Sequence, residues 1–190
     1  MREFRVGLFD RDRLRGFARQ ICPSRAVACV VDVNPLELKA RGKKLVLLDV
    51  DNTLMPWHGD CVPESSRAWI AGLRKEGLIA CVLSNTRRVD RLQRIASALG
   101  VEFIRGRFKP NPTMYHQALE KYGARPEEAV MVGDQLFTDV WGANRAGIEA
   151  VWVKPIAWRE FAGTKISRLA EAMARASIYR ALRPSPKEPA

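Results

Sequence analysis

Between residues 45 and 153 the chain alternates short apolar runs with segments whose apolar residues recur every three or four positions, the pattern of strands and helices in turn. Leu45-Val46-Leu47-Leu48-Asp49-Val50 predicts a buried strand. Pro63 sets the first position of a helix that buries Trp69, Ile70 and Leu73, and Gly77 closes it. A second strand follows over Leu78 to Leu83. Asn85 or Thr86 is placed to cap a helix with Val89, Leu92, Ile95, Ala96 and Leu99 on one face, ended by Gly100. Val101 to Ile104 reads as a third strand, and Pro112 opens a helix through Leu119 to Tyr122 and Gly123. Ala129 to Val132 is a fourth strand, Leu136 to Ala146 a helix closed by Gly147, and Glu149 to Val153 a fifth strand broken by Pro155. Units this regular, joined this tightly, predict an α/β fold: one three-layer, Rossmann-like domain around a five-stranded parallel sheet.

Outside that core the pattern weakens. Asn34-Pro35 predicts a brief helix through Leu36, Leu38 and Lys39, whereas residues 1 to 33 carry no assignable periodicity. Ile166, Leu169, Ala170 and Met173 share one helical face, with Arg168, Arg175 and Arg180 elsewhere on the wheel. That describes a basic amphipathic helix, which either packs on the domain or meets a membrane surface. The expected organisation is a basic N-terminal extension packing on the core (1–44), the core itself (45–155), the basic helix (156–183) and a disordered tail (184–190).

Composition narrows the class. With 190 residues, 47% hydrophobic and 28% charged, the chain matches one globular domain rather than a disordered, collagen-like or disulfide-scaffold protein. No apolar run, Ala26 to Val31 included, exceeds six residues, far short of the roughly 20 needed to span a bilayer. Acidic Glu3, Asp10 and Asp12 argue against a transit peptide. Cys22, Cys29, Cys61 and Cys81 show no metal-site spacing and read as reduced thiols, so a cytoplasmic protein is expected. The net charge of +11 is concentrated at the ends: residues 1 to 44 hold 11 Lys/Arg against 5 Asp/Glu, residues 154 to 190 hold 8 against 3, and the middle is balanced. Such asymmetry fits a polyanionic partner, either an anionic membrane or RNA, or a merely solvated basic surface.

Candidate chemistry gathers where it should in an open parallel sheet, at the carboxyl ends of the strands. Asp49 and Asp51 leave the first predicted strand, Ser84 and Asn85 the second, Lys109 follows the third, and Gly133-Asp134 with Asp139 follows the fourth. Carboxylates suit a hard cation such as magnesium, while a lysine and a hydroxyl suit phosphoryl oxygens.

Asp49-Val50-Asp51-Asn52-Thr53-Leu54 resembles the first motif of the haloacid dehalogenase (HAD) superfamily of phosphotransferases. Ser84, Lys109 and Gly133-Asp134-Gln135-Leu136-Phe137-Thr138-Asp139 resemble its second, third and fourth motifs in order. The resemblance implies that Asp49 attacks phosphorus to form an aspartyl-phosphate and that Asp51 is general acid and then base. It implies Mg2+ held by the Asp49 carboxylate, the Asp51 carbonyl and Asp134, with Asp139 nearby. Ser84, Asn85 and Lys109, together with Asn52 and Thr53, would meet the substrate phosphate. An aspartate at position 51 favours hydrolysis over a long-lived phosphoenzyme.

Only short segments separate these motifs, so no large cap domain is expected and the site should be open. Trp57 and His58, in the stretch Met55 to Val62, either touch substrate or pack and solvate under the turn. The motifs, Gly142-Ala143-Asn144-Arg145 and the basic terminal helix further resemble the capless (subclass III) bacterial phosphatases related to mitochondrial phosphatidylglycerophosphate phosphatase. Asn111-Pro112 after Lys109-Pro110 departs from that group. The closer resemblance implies a phosphorylated lipid substrate met at the inner face of a membrane. The alternatives are a phosphatase for a soluble sugar, nucleotide or polynucleotide phosphate, and a basic RNA-associated binding module.

Overall fold

A computed structural model describes residues 4–57, 59, 61–106, 109–156 and 174–183. Its centre is a sheet whose strands, in chain order, are β1 (Gly7–Leu8), β2 (Arg25–Val27), β3 (Leu45–Leu48), β4 (Ile79–Ser84), β5 (Glu102–Arg105), β6 (Ala129–Gly133) and β7 (Glu149–Val153). They lie side by side as β1-β2-β7-β6-β3-β4-β5, all neighbours parallel except the antiparallel β1–β2 pair at one edge. The expected five-stranded parallel sheet is therefore a seven-stranded mixed one. Both additional strands come from the N-terminal segment, and their two and three residues are too short to show a period.

The five strands read from the sequence occupy the other five positions, shifted by a residue or two at their ends. Their alternation sends side chains to two separate cores. Leu45 and Leu47 of β3 join Met131, Ala150 and Trp152 on one face, while Val46 and Leu48 join Val130, Val132 and Val151 on the other. The second face is covered by α2 (Pro35–Ala40), α3 (Glu64–Lys75) and α4 (Val89–Leu99), through Leu38, Trp69, Ile70, Leu73, Leu92 and Ile95. The first is covered by α5 (Thr113–Tyr122) and α6 (Trp141–Arg145), with Tyr115, Ala118 and Ala143 buried, and by α1 (Gly16–Gln20) alongside α6.

Local chemistry explains most boundaries. Asn34 caps α2 through a 2.9 Å bond from the Leu36 N–H. Gly100 ends α4 at φ 60, a conformation that would strain a residue with a Cβ. Two expectations change. Neither Asn85 nor Thr86 caps α4, which starts after Arg88 with no side-chain cap. The single helix expected over 136–146 is a π-helical turn, Leu136–Val140, followed by α6. A wide turn at this point brings Asp139 back beneath Gly133, as described below.

Of the expected C-terminal helix, Ile166, Arg168, Leu169, Ala170 and Met173 lie outside the described residues, as does the tail beyond 183. Residues 174–178 are helical and run into a 3-10 turn, Tyr179–Ala181. Ala174, Ile178 and Ala181 are buried against Phe9, Ile21 and Trp152. The chain end then pairs with the N-terminal strand: Phe9 bridges Leu182, and the Arg183 N–H donates to the Leu8 carbonyl at 2.9 Å. The two basic ends are thus tied together on one edge of the sheet.

Candidate active site

The strand order reverses at β3, whose neighbours β4 and β6 continue the chain in opposite directions, and this opens a crevice beyond the β3 carboxyl end. Asp49 is the first residue past β3. Its N–H still bonds the Val132 carbonyl at 3.0 Å, so the ladder fixes its backbone. The chain then turns tightly: Asn52 sits at φ 64 and its N–H donates to the Met55 carbonyl at 2.7 Å. Asn and Asp tolerate this left-handed geometry better than other side-chain-bearing residues.

Lys109 reaches the centre from the segment after β5. Its ammonium donates to Asp49 Oδ1 and to Asp139 Oδ1, each at 2.8 Å, with the lysine and Asp139 side chains both 2% exposed. The remaining Asp139 oxygen accepts from the Gln135 N–H at 3.1 Å. Asp134 Oδ1 accepts from the Thr53 hydroxyl at 3.2 Å, and its carbonyl accepts from the Trp152 indole at 2.8 Å. Asn85 holds the lysine's backbone, its side-chain oxygen accepting from the Lys109 N–H at 3.0 Å. That contact, rather than helix capping, is what Asn85 does. Ser84, buried at the end of β4, accepts from the Thr86 N–H at 3.2 Å.

The cavity above these groups measures about 500 Å³ and is walled by Asp49, Asp51, Asn52, Trp57, Ser84 and Lys109, among others. The Asn52 side-chain oxygen is buried on this wall without a hydrogen-bond partner among the described residues. His58 lies outside the described residues. Thr53 faces Asp134 and has its hydroxyl committed there. Asp51 behaves differently from the other acids: its two oxygens are gripped by the Arg91 guanidinium at 2.8 and 3.2 Å, and Arg91 also donates to the Gly59 carbonyl. Arg91 escaped the sequence reading because it lies seven positions past Ser84, in the first turn of α4, where an arginine reads as solvated surface. Tyr115, which supports the Asp139 and Thr138 carbonyls from below, was read only as part of a helix.

The electrostatics are those of a site short of positive charge. Burial pushes the Asp49 carboxyl up to about 7; Lys109 opposes this, and Asp139 and Asp51 add to it. Burial, together with Asp49 and Asp139, also raises Asp134 well above the carboxylate range. Burial acts to lower Lys109, but Asp139 and Asp49 outweigh it and hold the ammonium above its usual range. Asp49, Asp134 and Asp139 bring oxygens within 4.8 Å of one another around a single ammonium, a net charge of −2 when all are ionised. A divalent cation with hard, oxygen-preferring coordination fits both that charge and that donor set. The Asp51 side chain does not belong to this cluster.

Gly133 lets the cluster close. A methyl group there would sit within 2.6 Å of Asp139 Cβ. Gly133→Ala is expected to displace the Asp139 carboxylate from Lys109 and Gln135, lowering kcat by about a hundred-fold. Overpacking of this kind costs roughly 1–3 kcal/mol, so thermal melting should fall by several degrees. Kinetics and a melting curve on the same preparation check both.

A largely parallel α/β domain with carboxylates, a buried lysine and a hydroxyl at its switch point fits an enzyme that handles phosphate. The HAD-hydrolase-like family model matches residues 107–155. The "Probable phosphatase YqeG" of Bacillus subtilis is 30% identical over 149 residues, 78% of this chain and 86% of that protein. The phosphoserine phosphatase of Thermus thermophilus is 40% identical over 101 residues and the glyceraldehyde 3-phosphate phosphatase of Pyrococcus furiosus 30% over 97, matches that span 39% and 40% of those proteins. Among solved structures, an uncharacterized protein from Listeria monocytogenes serotype 4b shares the fold, with a TM-score of 0.51 at 19% identity over 70% of this chain and 99% of that one. The chain belongs to the HAD-like phosphatases, and it is a phosphatase.

Proposed function

We propose that this phosphatase is a Mg2+-dependent phosphomonoesterase with Asp49 as nucleophile, Asp51 as acid and base, and a lipid-headgroup phosphate as substrate. The observation that carries the chemistry is Asp49, fixed by the strand ladder and by Lys109 inside a net-negative carboxylate cluster. An Asp49 oxygen attacks phosphorus, the ester P–O bond breaks, and the departing alkoxide takes a proton from Asp51. Water then attacks the aspartyl-phosphate while Asp51 takes its proton, releasing phosphate and restoring Asp49. Lys109 holds the nucleophile and faces the phosphoryl oxygens, and the Ser84 hydroxyl offers a polar contact from the wall. Asp49, Asp134 and Asp139 would hold the cation, with the Asp51 carbonyl beside them, and the cation supplies charge neutralisation between carboxylate and phosphate. The acid–base role requires the Arg91 fork to give up at least one Asp51 oxygen to the leaving group.

Mg2+ is expected to stabilise the fold. At a hundred times its Kd, a ligand adds about 2.7 kcal/mol, or roughly 5–10 °C of melting temperature at this chain length. The Asp49 carboxyl titrates higher in the fold than unfolded, so its ionisation costs stability as pH rises from about 4 through 7. The Mg2+ shift in a melting experiment should therefore be larger near pH 8 than near pH 5.5.

Three features support the lipid reading and a peripheral position on a cytoplasmic membrane face. Among the described residues, the connections from Asp51 to Ser84 and from Lys109 to Asp134 are spent on α3, β4, α5 and β6, which leaves no room there for a large cap over the mouth. The net charge is +11, and each Lys or Arg near an anionic bilayer contributes about 1 kcal/mol. Half-exposed Phe17 stacks on Phe137 at 6.1 Å and meets Trp141 edge-on at 5.0 Å, with the Arg145 guanidinium 5.7 Å from the Trp141 ring. No described helix is long and apolar enough to cross a membrane. A soluble substrate is the second reading, favoured by the names of the phosphoserine and glyceraldehyde 3-phosphate phosphatases. Phosphate release from phosphatidylglycerophosphate in mixed micelles, beside a panel of soluble phosphates, decides between them: a strong micelle preference supports the first, and activity on the panel alone supports the second.

A further inference from the structure

The rim of the catalytic cavity carries arginines that the chemistry above leaves unused. β4 ends at Ser84, and the chain continues through Asn85 and Thr86 to Arg87 and Arg88 before α4 begins. Arg87, Arg88 and Arg91 line the cavity that holds Asp49 and Lys109. The same three, with Arg94, Val89 and Asp90, line an adjoining recess of about 410 Å³. Arg91 is occupied by Asp51 and Gly59. Arg87 and Arg88 are exposed, and their guanidinium groups make no ion pair among the described residues. Adjacent like charges repel, and here Asp90 is the one acid in a lining that holds four arginines. A three-residue step from Ser84 spans at most about 10–11 Å, so the Arg87 side chain works within a short molecule's length of the phosphate that Ser84 would meet.

We propose that Arg87 and Arg88 form a second anion subsite, which selects substrates carrying a further phosphate or phosphodiester a short spacer away from the phosphomonoester under attack. Guanidinium groups pair with phosphate oxygens in two-pronged fashion, and charge-assisted bonds of this kind are among the stronger ones in water. The inference rests on the phosphomonoesterase reading and deepens it. A glycerophospholipid whose headgroup bears a terminal monoester and an inner diester meets the requirement, and so does the same headgroup without its acyl chains. A phosphate ester with one anionic group does not.

The test compares kcat/KM of wild type, Arg87→Gln/Arg88→Gln and Arg87→Lys/Arg88→Lys on three probes. These are the phospholipid with a monoester and a diester in mixed micelles, its deacylated water-soluble headgroup, and p-nitrophenyl phosphate. The glutamine variant is expected to reduce the ratio of two-anion to one-anion kcat/KM by about ten-fold or more, chiefly through KM, with the lysine variant between it and wild type. The wild-type ratio should also fall as salt is raised. A ratio unchanged within about two-fold, equal losses on all probes, or no wild-type turnover of either two-anion probe while p-nitrophenyl phosphate is hydrolysed would overturn the subsite. Absence of turnover on every probe would instead overturn the phosphomonoesterase reading beneath it. Equal use of acylated and deacylated headgroups would assign recognition to the anions alone, whereas use of the acylated form only would add the lipid surface; either result keeps the subsite if the ratio falls.

Discussion

Asp49→Asn is expected to lower kcat for phosphomonoester hydrolysis by about ten-thousand-fold or more, because the amide is no nucleophile and nothing else in the cavity replaces it. The fold should not suffer. Asp49 lies among Asp134 and Asp139 with a single ammonium between them, and burial already disfavours its charge. Removing one negative charge from that cluster relieves repulsion, so the melting temperature without added cation should match or exceed that of wild type. The Mg2+-induced shift should shrink, since one of three carboxylate donors is gone. Loss of activity with retained stability separates a chemical role from a structural one. A variant that melts well below wild type would point to Asp49 as a packing element.

Lys109→Met is expected to have the opposite balance. The lysine side chain is 2% exposed and serves two carboxylates, so the variant leaves buried negative charges without their partner. Breaking a buried pair from one side costs about 3–5 kcal/mol, which corresponds to roughly 10 °C of melting temperature here. The pH dependence follows from the direction of the shift. Lys109 titrates above its unfolded value, so its contribution is complete at neutral pH and is lost only in strong alkali. In the variant, Asp49 can shed its penalty only by taking up a proton, and the deficit relative to wild type should narrow as pH falls toward about 5. Melting curves of both proteins across pH check this, and a deficit that widens in acid would contradict it.

The parts of this molecule that were legible in its sequence share one property, a local pattern strong enough to survive without tertiary context. β3, β4, β6 and β7 are runs of mostly buried apolar residues bounded by Gly, Pro or polar residues, each paired on both sides within the sheet, while β5 is the half-exposed edge strand beside β4. The site acids and Lys109 follow those strands directly, so locating the strands located them. The rest depends on contacts distant in sequence. Gly7–Leu8 is a strand only because Arg25–Val27 lies beside it, and that segment only because β7 does. Leu182 and Arg183 complete the edge from the far end of the chain. Asn85 matches a helix cap in the one-dimensional pattern, yet the approach of Lys109 takes its side chain for another purpose. The Arg91–Asp51 fork joins residues 40 positions apart and has no local signature. The carboxylates were visible as candidates, but the balance of charge that suits them to a cation required their distances.

The most direct test of the central claim is to quench the wild-type enzyme during turnover of a radiolabelled phosphomonoester and locate the phosphoryl group. The account predicts a hydroxylamine-labile label on the peptide that contains Asp49, borohydride conversion of that residue to homoserine, and no label in Asp49→Asn. Label on a serine or histidine peptide, or phosphate release that persists in Asp49→Asn, would contradict it.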